Sequence, residues 1–145
     1  MDLTKNFSFE EMVQSQTAAR LGISNAPPAA LIPRLTLVAE ALETVRTLLG
    51  VPVIVSSGYR CAKLNSACGG VPTSAHCLGW AADFIAPQFG SPLEVCKKIE
   101  ASDLKFDQLI YEYGQWTHLS IDPRMRRQVL QISSSVRGYQ PGLPA

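Results

Sequence analysis

The chain contains only two histidines, and both stand beside residues with which an imidazole could do chemistry. His76 opens the segment His-Cys-Leu-Gly-Trp-Ala-Ala-Asp, which ends at Asp83, and His118 lies in Trp-Thr-His-Leu-Ser. Two neutral imidazoles and one carboxylate suit Zn²⁺, and three protein ligands leave a fourth position for water. Zinc would lower the pKa of that water and polarise a carbonyl group. These residue types therefore point to metal-assisted hydrolysis.

Each of the three residues also has a structural interpretation. A histidine on a strand is often hydrogen-bonded into the fold without binding a metal, and Asp83 could be a buried acid held by hydrogen bonds. An ionised carboxylate without a partner is costly to bury, however, and a metal ion would supply that partner. On the residues alone, both interpretations stay open.

Short strands are the elements that must position these side chains. Residues 81–85 form an apolar run that predicts a strand, from which Asp83 would project. Gly79 precedes this run and permits a turn that a residue with a Cβ could not easily make. His76 is therefore expected on a loop next to the strand.

A β-hairpin is predicted for residues 106–112 and 116–121, with a three-residue loop at Tyr113–Gln115. This loop length would place Glu112 opposite Trp116 and on the same face as His118. The more polar face would then contain Gln108, Glu112, His118 and Ser120. The core face would contain Leu109, Tyr111, Leu119 and Ile121. A two-residue turn would break this separation.

The remaining elements place helices first and strands later, which indicates an α+β fold. Ser8 and Glu11 form a capping box with Phe7 as a hydrophobic staple, at the start of a helix that the loop Asn25–Pro28 interrupts. Apolar residues recur at helical spacing from Leu35 to Leu49 before Gly50. Further elements are predicted as a strand at 51–55, a helix from Ser91 to about Ser102, a last strand at 128–133 and a loose tail at 138–145.

Length and composition favour a single domain, residues 1–145, with a core at about 7–133. The formal net charge of +1 gives no electrostatic case for nucleic acid, and Arg124, Arg126 and Arg127 are expected to be a solvated cluster. The sequence contains no apolar run of about twenty residues, so membrane insertion is not expected. The first residues lack the pattern of a secretory signal, so synthesis in the cytoplasm without a signal peptide is expected.

The four cysteines form no Cys-x-x-Cys pair. Reduced thiols are expected, because no signal peptide directs the chain to an oxidising compartment. We predict small buried side chains for all of them, and no metal ligands among them: Cys61, Cys68, Cys77 and Cys96.

The pattern Ser74-x-His76-x-x-Gly79-x-Ala81-x-Asp83, followed by Trp116-x-His118, closely resembles that of zinc D-alanyl-D-alanine carboxypeptidases and related phage endolysins, the LAS-type peptidoglycan metallopeptidases. Ser56-Ser57-Gly58-Tyr59-Arg60, with Asn65 and Gly69-Gly70 behind it, matches the family's upstream block. The resemblance extends from about Phe7 to Ser133.

The resemblance implies a hedgehog/D-Ala-D-Ala peptidase-like fold, in which N-terminal helices pack on a small, mainly antiparallel sheet that holds the metal. It also implies zinc bound by His76, Asp83 and His118, and hydrolysis of peptidoglycan stem peptides. Arg60 corresponds to the family's arginine that binds the substrate or the oxyanion. Ser74 corresponds to the family's serine and is expected to bind substrate or to cap a turn.

The general base is the main departure from the family pattern. Some branches carry Glu-x-x-His, and Gln115 occupies that position here, where it cannot take a proton from water. Glu112 is the nearest carboxylate of the hairpin, so we assign it this role. Asp107 stands at the far end of the strand and is expected to be structural.

The expected function is therefore a zinc peptidase, a carboxypeptidase or endopeptidase, whose partner is the peptidoglycan stem peptide. A monomeric phage or prophage lysis protein acting in the cell wall or periplasm is the context that the resemblance implies. The alternative is a non-catalytic module that keeps the fold and the zinc but binds wall peptide or assembles into a phage particle.

Overall fold

The computed structural model describes residues 1–145, in which the helices and a six-stranded sheet enclose one apolar core. The helices are α1 (Phe9–Val13), α2 (Gln16–Leu21), a 3₁₀ turn (Ala29–Leu31), α3 (Ile32–Leu49), α4 (Ala62–Ala67) and α5 (Pro92–Glu100). The strands are β1 (Ile54–Ser57), β2 (Ala81–Ile85), β3 (Gln108–Glu112), β4 (Trp116–Ser120), β5 (Gln128–Ile132) and β6 (Gln140–Pro141).

The strand order is β1-β2-β4-β3-β5-β6, and every neighbouring pair is antiparallel except β3 and β5. The predicted α+β class is confirmed, and the parallel pair makes the sheet mixed. A short connection joins β4 to β5, because β4 ends at the same end of the sheet at which β5 begins. It wraps the start of β3, where Asp107 accepts hydrogen bonds from Nε and Nη2 of Arg126 at 2.8 and 2.9 Å.

Arg124, Arg126 and Arg127 are all exposed, as expected of a solvated cluster, and two of them also bond to the fold. Asp107 is only 1% exposed, and the Arg126 hydrogen bond holds the pKa of its carboxyl below the ordinary value. Arg127 donates to the Ser102 carbonyl and lies over the Phe106 ring. The cluster therefore fastens the connection between β4 and β5, and Asp107 has a structural role, as the sequence indicated.

The N-terminal capping box is present, with Ser8 and Glu11 bonded reciprocally. The helix that it starts is shorter than the sequence suggests, because Gln14 is extended and Ser15 caps α2 separately. Gly22 ends α2 in the left-handed conformation at φ 66°. Two short helices thus replace one predicted helix.

Helix α3 supplies most of the helical side of the core. The predicted stripe is buried in full: Leu35, Val38, Ala39, Leu42, Val45 and Leu49. The helix begins earlier than the periodicity indicated, because Pro33 is accommodated in its first turn, where no intrahelical N–H bond is lost. Gly50 ends it as predicted, with φ 71°.

Strand β1 lies further along the chain than predicted. Val51 and Pro52 stay outside the ladder, and the strand runs instead through two serines to Ser57, which pairs with Asp83 after a register shift. Ser56 Oγ donates to the carbonyl of Asp83 at 3.2 Å. The displacement brings the end of β1 to the strand that holds the aspartate.

The hairpin of β3 and β4 has the predicted register, with Glu112 opposite Trp116. Leu109 and Leu119 are in the core, and Tyr111 and Ile121 pack against it, as strand alternation indicated. The tail, for which the sequence suggests a loose segment, instead contributes β6, which pairs with β5.

All four cysteines are free thiols. Cys96 is buried, as predicted, and Cys61 caps α4 by accepting from the Leu64 amide at 3.4 Å. Cys68 is exposed at the end of α4, so the prediction of a buried side chain is wrong there. None of the helices combines the length and the apolar composition that a membrane span requires.

Candidate metal centre

The three residues singled out by their types and spacing lie together. Asp83 on β2 and His118 on β4 pair directly across the sheet, and His76 approaches from the loop before β2. Their possible ligand atoms all lie within 4.8 Å of one another. His76 is 2% exposed, and Asp83 and His118 are each 6% exposed.

The orientation of His76 is set by a backbone carbonyl. Its Nδ1 lies 2.7 Å from the carbonyl oxygen of Gly58, an acceptor only, so Nδ1 carries a proton and donates it to this hydrogen bond. Its Nε2 then faces Asp83 Oδ1 at 3.2 Å. A proton or a metal ion between these two atoms would make this contact favourable.

Gly58 packs directly against the backbone of α1 at Met12. A Cβ there would overlap the carbonyl oxygen of Met12, to which the next residue, Tyr59, donates its amide at 2.7 Å. Only glycine therefore fits without displacement of the helix, and the same residue orients His76. The sequence contains this glycine in the upstream block but gives no sign of its carbonyl's role.

His118 reaches the same carboxylate oxygen with Nδ1, which lies 2.9 Å from Asp83 Oδ1, whereas His76 uses Nε2. The two imidazoles meet edge to face, with centroids 5.0 Å apart. In tetrahedral zinc coordination, donor atoms lie on the order of 3.3 Å apart. The nitrogen–oxygen distances here are close to that value, so the donor set fits zinc.

The electrostatics of the cluster favour the ionised carboxylate. Burial alone would raise the pKa of Asp83, but the charge of His76 and the hydrogen bonds from both histidines hold it below its ordinary value. Burial alone would lower the pKa of His118, and the hydrogen bond and charge of Asp83 raise it instead. The buried carboxylate therefore attracts positive charge, whether a proton or a metal ion.

Glu112 lies on the same face of the sheet as His118, as the hairpin register requires. Its Oε1 accepts a hydrogen bond from Trp116 Nε1 at 2.6 Å. Burial raises the pKa of Glu112, and the negative charge of Asp83 adds to the shift, whereas the charge of His118 opposes it. Gln115, by contrast, is exposed in the hairpin loop.

Residues 5–120 match the family model described as peptidase M15. The chain belongs to the peptidase M15 family. This confirms the resemblance to zinc D-alanyl-D-alanine carboxypeptidases, and the match includes all three residues of the cluster. No curated protein matches the chain.

In this M15 chain, Arg60 follows the block that contains Gly58. Its backbone amide donates to the His76 carbonyl at 3.3 Å. The guanidinium makes no ion pair, and its buried Nε has no hydrogen-bond partner. Its positive charge acts against protonation of His118. A cation with unused donors thus lies within electrostatic range of the cluster.

Ser74 caps a turn and also lies beside a cleft. Its Oγ accepts from the His76 amide at 3.2 Å, which caps the turn before the histidine. It also lines a cleft of about 260 Å³ to which His118 contributes. The cleft wall opposite the sheet is the loop after α4, which Asn65 anchors by donating to the Val71 carbonyl at 2.7 Å.

Tyr139 also lines this cleft, although the sequence assigned it only to a loose tail and it lies outside the matched residues. No local pattern could have placed it there, because its position depends on the pairing of β5 with β6. A larger groove of about 460 Å³, lined by Leu37, Trp80 and Met125 among others, includes none of the three cluster residues.

Proposed function

We propose that the protein is a zinc-dependent peptidase that hydrolyses an amide bond in peptidoglycan stem peptides, as a D-Ala-D-Ala carboxypeptidase or an endopeptidase. The arrangement of His76 and Asp83 carries this proposal. The buried Nε2 of His76 and Oδ1 of Asp83 face each other at 3.2 Å, while Nδ1 of the same imidazole donates to the Gly58 carbonyl on the far side. Membership of the M15 family supports a metal as the cation between them.

His76, Asp83 and His118 would be the protein ligands. When bound, zinc supplies Lewis acidity to water and to the scissile carbonyl. Three protein ligands would leave a fourth position for water, which distinguishes a catalytic site from a closed structural one. Cys77 is not part of the donor set.

Glu112 would accept a proton from water and later donate it to the leaving amine. The raised pKa favours this exchange, because a base works best when its pKa approaches the working pH. Trp116 leaves the second carboxylate oxygen free, since its Nε1 bonds only Oε1. The hydrogen bond also limits the rotation of the carboxylate.

Arg60 would bind the oxyanion or a substrate carboxylate with the donors that the fold leaves unused. Ser74 lies on the cleft wall and would contact the substrate backbone while it caps the turn. Both assignments agree with the roles that the resemblance implies.

The substrate class implies action at the bacterial cell wall or in the periplasm, in a phage or prophage lysis context. The alternative function is a non-catalytic wall-binding or phage structural module. Gln115 at the position of the family's acid is the observation that favours the alternative.

Incubation of the purified, zinc-loaded protein with defined muropeptides, followed by mass analysis of the products, tests the proposal. We expect cleavage of one amide bond, lost on chelation and restored by zinc. Binding of muropeptides without any cleavage would support the wall-binding module instead.

A further inference from the structure

The tail after β5 is fastened to the sheet. Gln140 and Pro141 pair with β5, the amide of Gly142 donates to the Val129 carbonyl at 2.8 Å, and Gln131 Nε2 donates to the Gly142 carbonyl at 3.2 Å. This anchoring fixes where the preceding residues lie. Tyr139 is directly before β6, after a turn at Gly138 with φ 81°.

A row of paired residues crosses the sheet from the candidate metal centre to this tail. Asp83 pairs with His118, His118 with Ile110, Ile110 with Leu130 and Leu130 with Pro141. Directly paired residues project from the same face of a sheet. The cross-strand row (Asp83, His118, Ile110, Leu130 and Pro141) therefore begins at the cluster, provides an apolar floor and ends at the strand that positions Tyr139.

The length of this floor matches a short peptide. Neighbouring strands are about 4.8 Å apart, so the row from His118 to the tail spans roughly 14 Å. An extended peptide advances about 3.3 Å per residue. About four residues of substrate would reach from His118 to the backbone of β6, and the Tyr139 side chain lines the cleft along this path.

Tyr139 has the chemistry of a peptide-binding side chain. Its ring is 54% exposed, and its hydroxyl makes no hydrogen bond within the protein. Partial burial raises the pKa of the phenol, and the negative charge of Glu112 adds to this, so the hydroxyl remains a donor at neutral pH. A flat ring with a free donor can pack on an aliphatic chain and bond a peptide carbonyl.

We propose that Tyr139 is a substrate-binding residue of the same site, which contacts the stem peptide several residues from the scissile bond and so selects longer peptides over dipeptides. This inference rests on the proposed function, because it takes the cleft to be the peptide site. It assigns a specificity role to the segment beyond the matched residues.

Equilibrium binding separates this inference from catalysis. Zinc-loaded Glu112→Gln protein would be titrated calorimetrically with a stem pentapeptide ending in D-Ala-D-Ala and with free D-Ala-D-Ala. Adding Tyr139→Ala should weaken pentapeptide binding about tenfold and leave dipeptide binding unchanged. Tyr139→Phe should weaken pentapeptide binding by about 2- to 10-fold, the contribution of one neutral hydrogen bond.

Val136→Ala is the matched control, because it removes an exposed apolar side chain from the same tail without touching the cleft. It should bind both peptides as the parent does. In the active enzyme, Tyr139→Ala should raise KM for the pentapeptide with little change in kcat, and zinc content and Tm should not change.

The outcomes are distinct. Equal pentapeptide affinity with and without the Tyr139 side chain would overturn the inference and leave the peptidase intact. Parallel losses for the dipeptide would overturn it too, since they indicate a general disturbance of the site. Normal binding effects without hydrolysis by the wild type would refute the peptidase alone, and failure of the parent to bind pentapeptide would refute both.

Discussion

The two histidines present different ring nitrogens to Asp83, and their positions in the chain explain the difference. His118 is directly opposite the aspartate on the neighbouring strand, where Nδ1, the nitrogen nearer the backbone, is close enough to reach the carboxylate. His76 comes from a loop and reaches it with Nε2, while Nδ1 is bonded to Gly58. The orientation of each imidazole is therefore set by the strand or loop that carries it.

Removal of either imidazole should remove the metal. We expect about one zinc per wild-type chain, with ligand distances of about 2.0–2.2 Å, and loss of most zinc and activity in His118→Ala. Metal analysis after dialysis measures this. Cys77→Ser is the control, because Cys77 adjoins His76 but is not in the donor set, and it should keep its zinc. A fully loaded and active His118→Ala protein would show that the assignment is wrong.

Glu112→Gln tests the proton-transfer step separately from the metal. The amide keeps the size of the side chain and can still accept from Trp116, but it has no basicity. Turnover should fall about 10²- to 10⁴-fold, with zinc content and Tm nearly unchanged. Gln115→Ala, three residues before His118 but exposed in the hairpin loop, should retain wild-type turnover. Unchanged turnover in Glu112→Gln would transfer the role to another acid.

Residue types and spacing singled out the three residues of the cluster, because so few histidines are present, and the family resemblance then favoured a metal site over a structural role. The partners that orient the cluster could not be predicted. The carbonyl of Gly58 and the indole of Trp116 act through distances that only the folded chain defines. The role of a backbone carbonyl cannot be inferred from the type of residue that carries it.

Among the elements, those with local signals were predicted best. The periodic stripe of α3 and the hairpin of β3 and β4 depend on spacing that the sequence displays directly. The displacement of β1 and the parallel pairing of β5 depend on which strands lie beside them. Such long-range pairing has no local signature, so these features were missed.

The contact of β1 with α1 gives a prediction at this scale. Gly58→Ala would push α1 away or displace the carbonyl that holds His76, because the added Cβ overlaps Met12. We expect a loss of about 1–3 kcal/mol of unfolding free energy and a zinc affinity lower by about 10- to 100-fold. Chemical denaturation and competitive zinc titration measure the two effects.

Gly22→Ala separates stability from metal binding. Gly22 has φ 66° and open space around it, far from the cluster in sequence, so alanine there should cost about 1–2 kcal/mol of backbone strain. Its zinc affinity should match the wild type. Equal zinc affinity in Gly58→Ala would mean that the carbonyl does not orient His76.

The whole molecule brings the metal centre together from parts that are distant in sequence. The loop with His76, strand β2 and strand β4 meet only because β4 is inserted between β2 and β3. The tail depends on the same strand order, since β6 pairs with β5, the strand next to β3. The sequence predicted the fold class, but it could not predict that the last segment returns to the cleft.

Because the proposed ligands belong to separate segments, metal should stabilise the entire fold. Zinc that binds only the native chain raises the free energy of unfolding by about 2.7 kcal/mol at one hundred times its Kd. For a domain of this size, each kcal/mol is expected to shift Tm by about 2–8 °C. Differential scanning calorimetry with zinc and with a chelator should therefore show a clear difference in Tm for the wild type. The chelated form keeps its apolar core, so that form should still unfold cooperatively. The His118→Ala protein should show little dependence of Tm on zinc, and an equal zinc-dependent shift in both proteins would place the stabilising ion elsewhere on the chain.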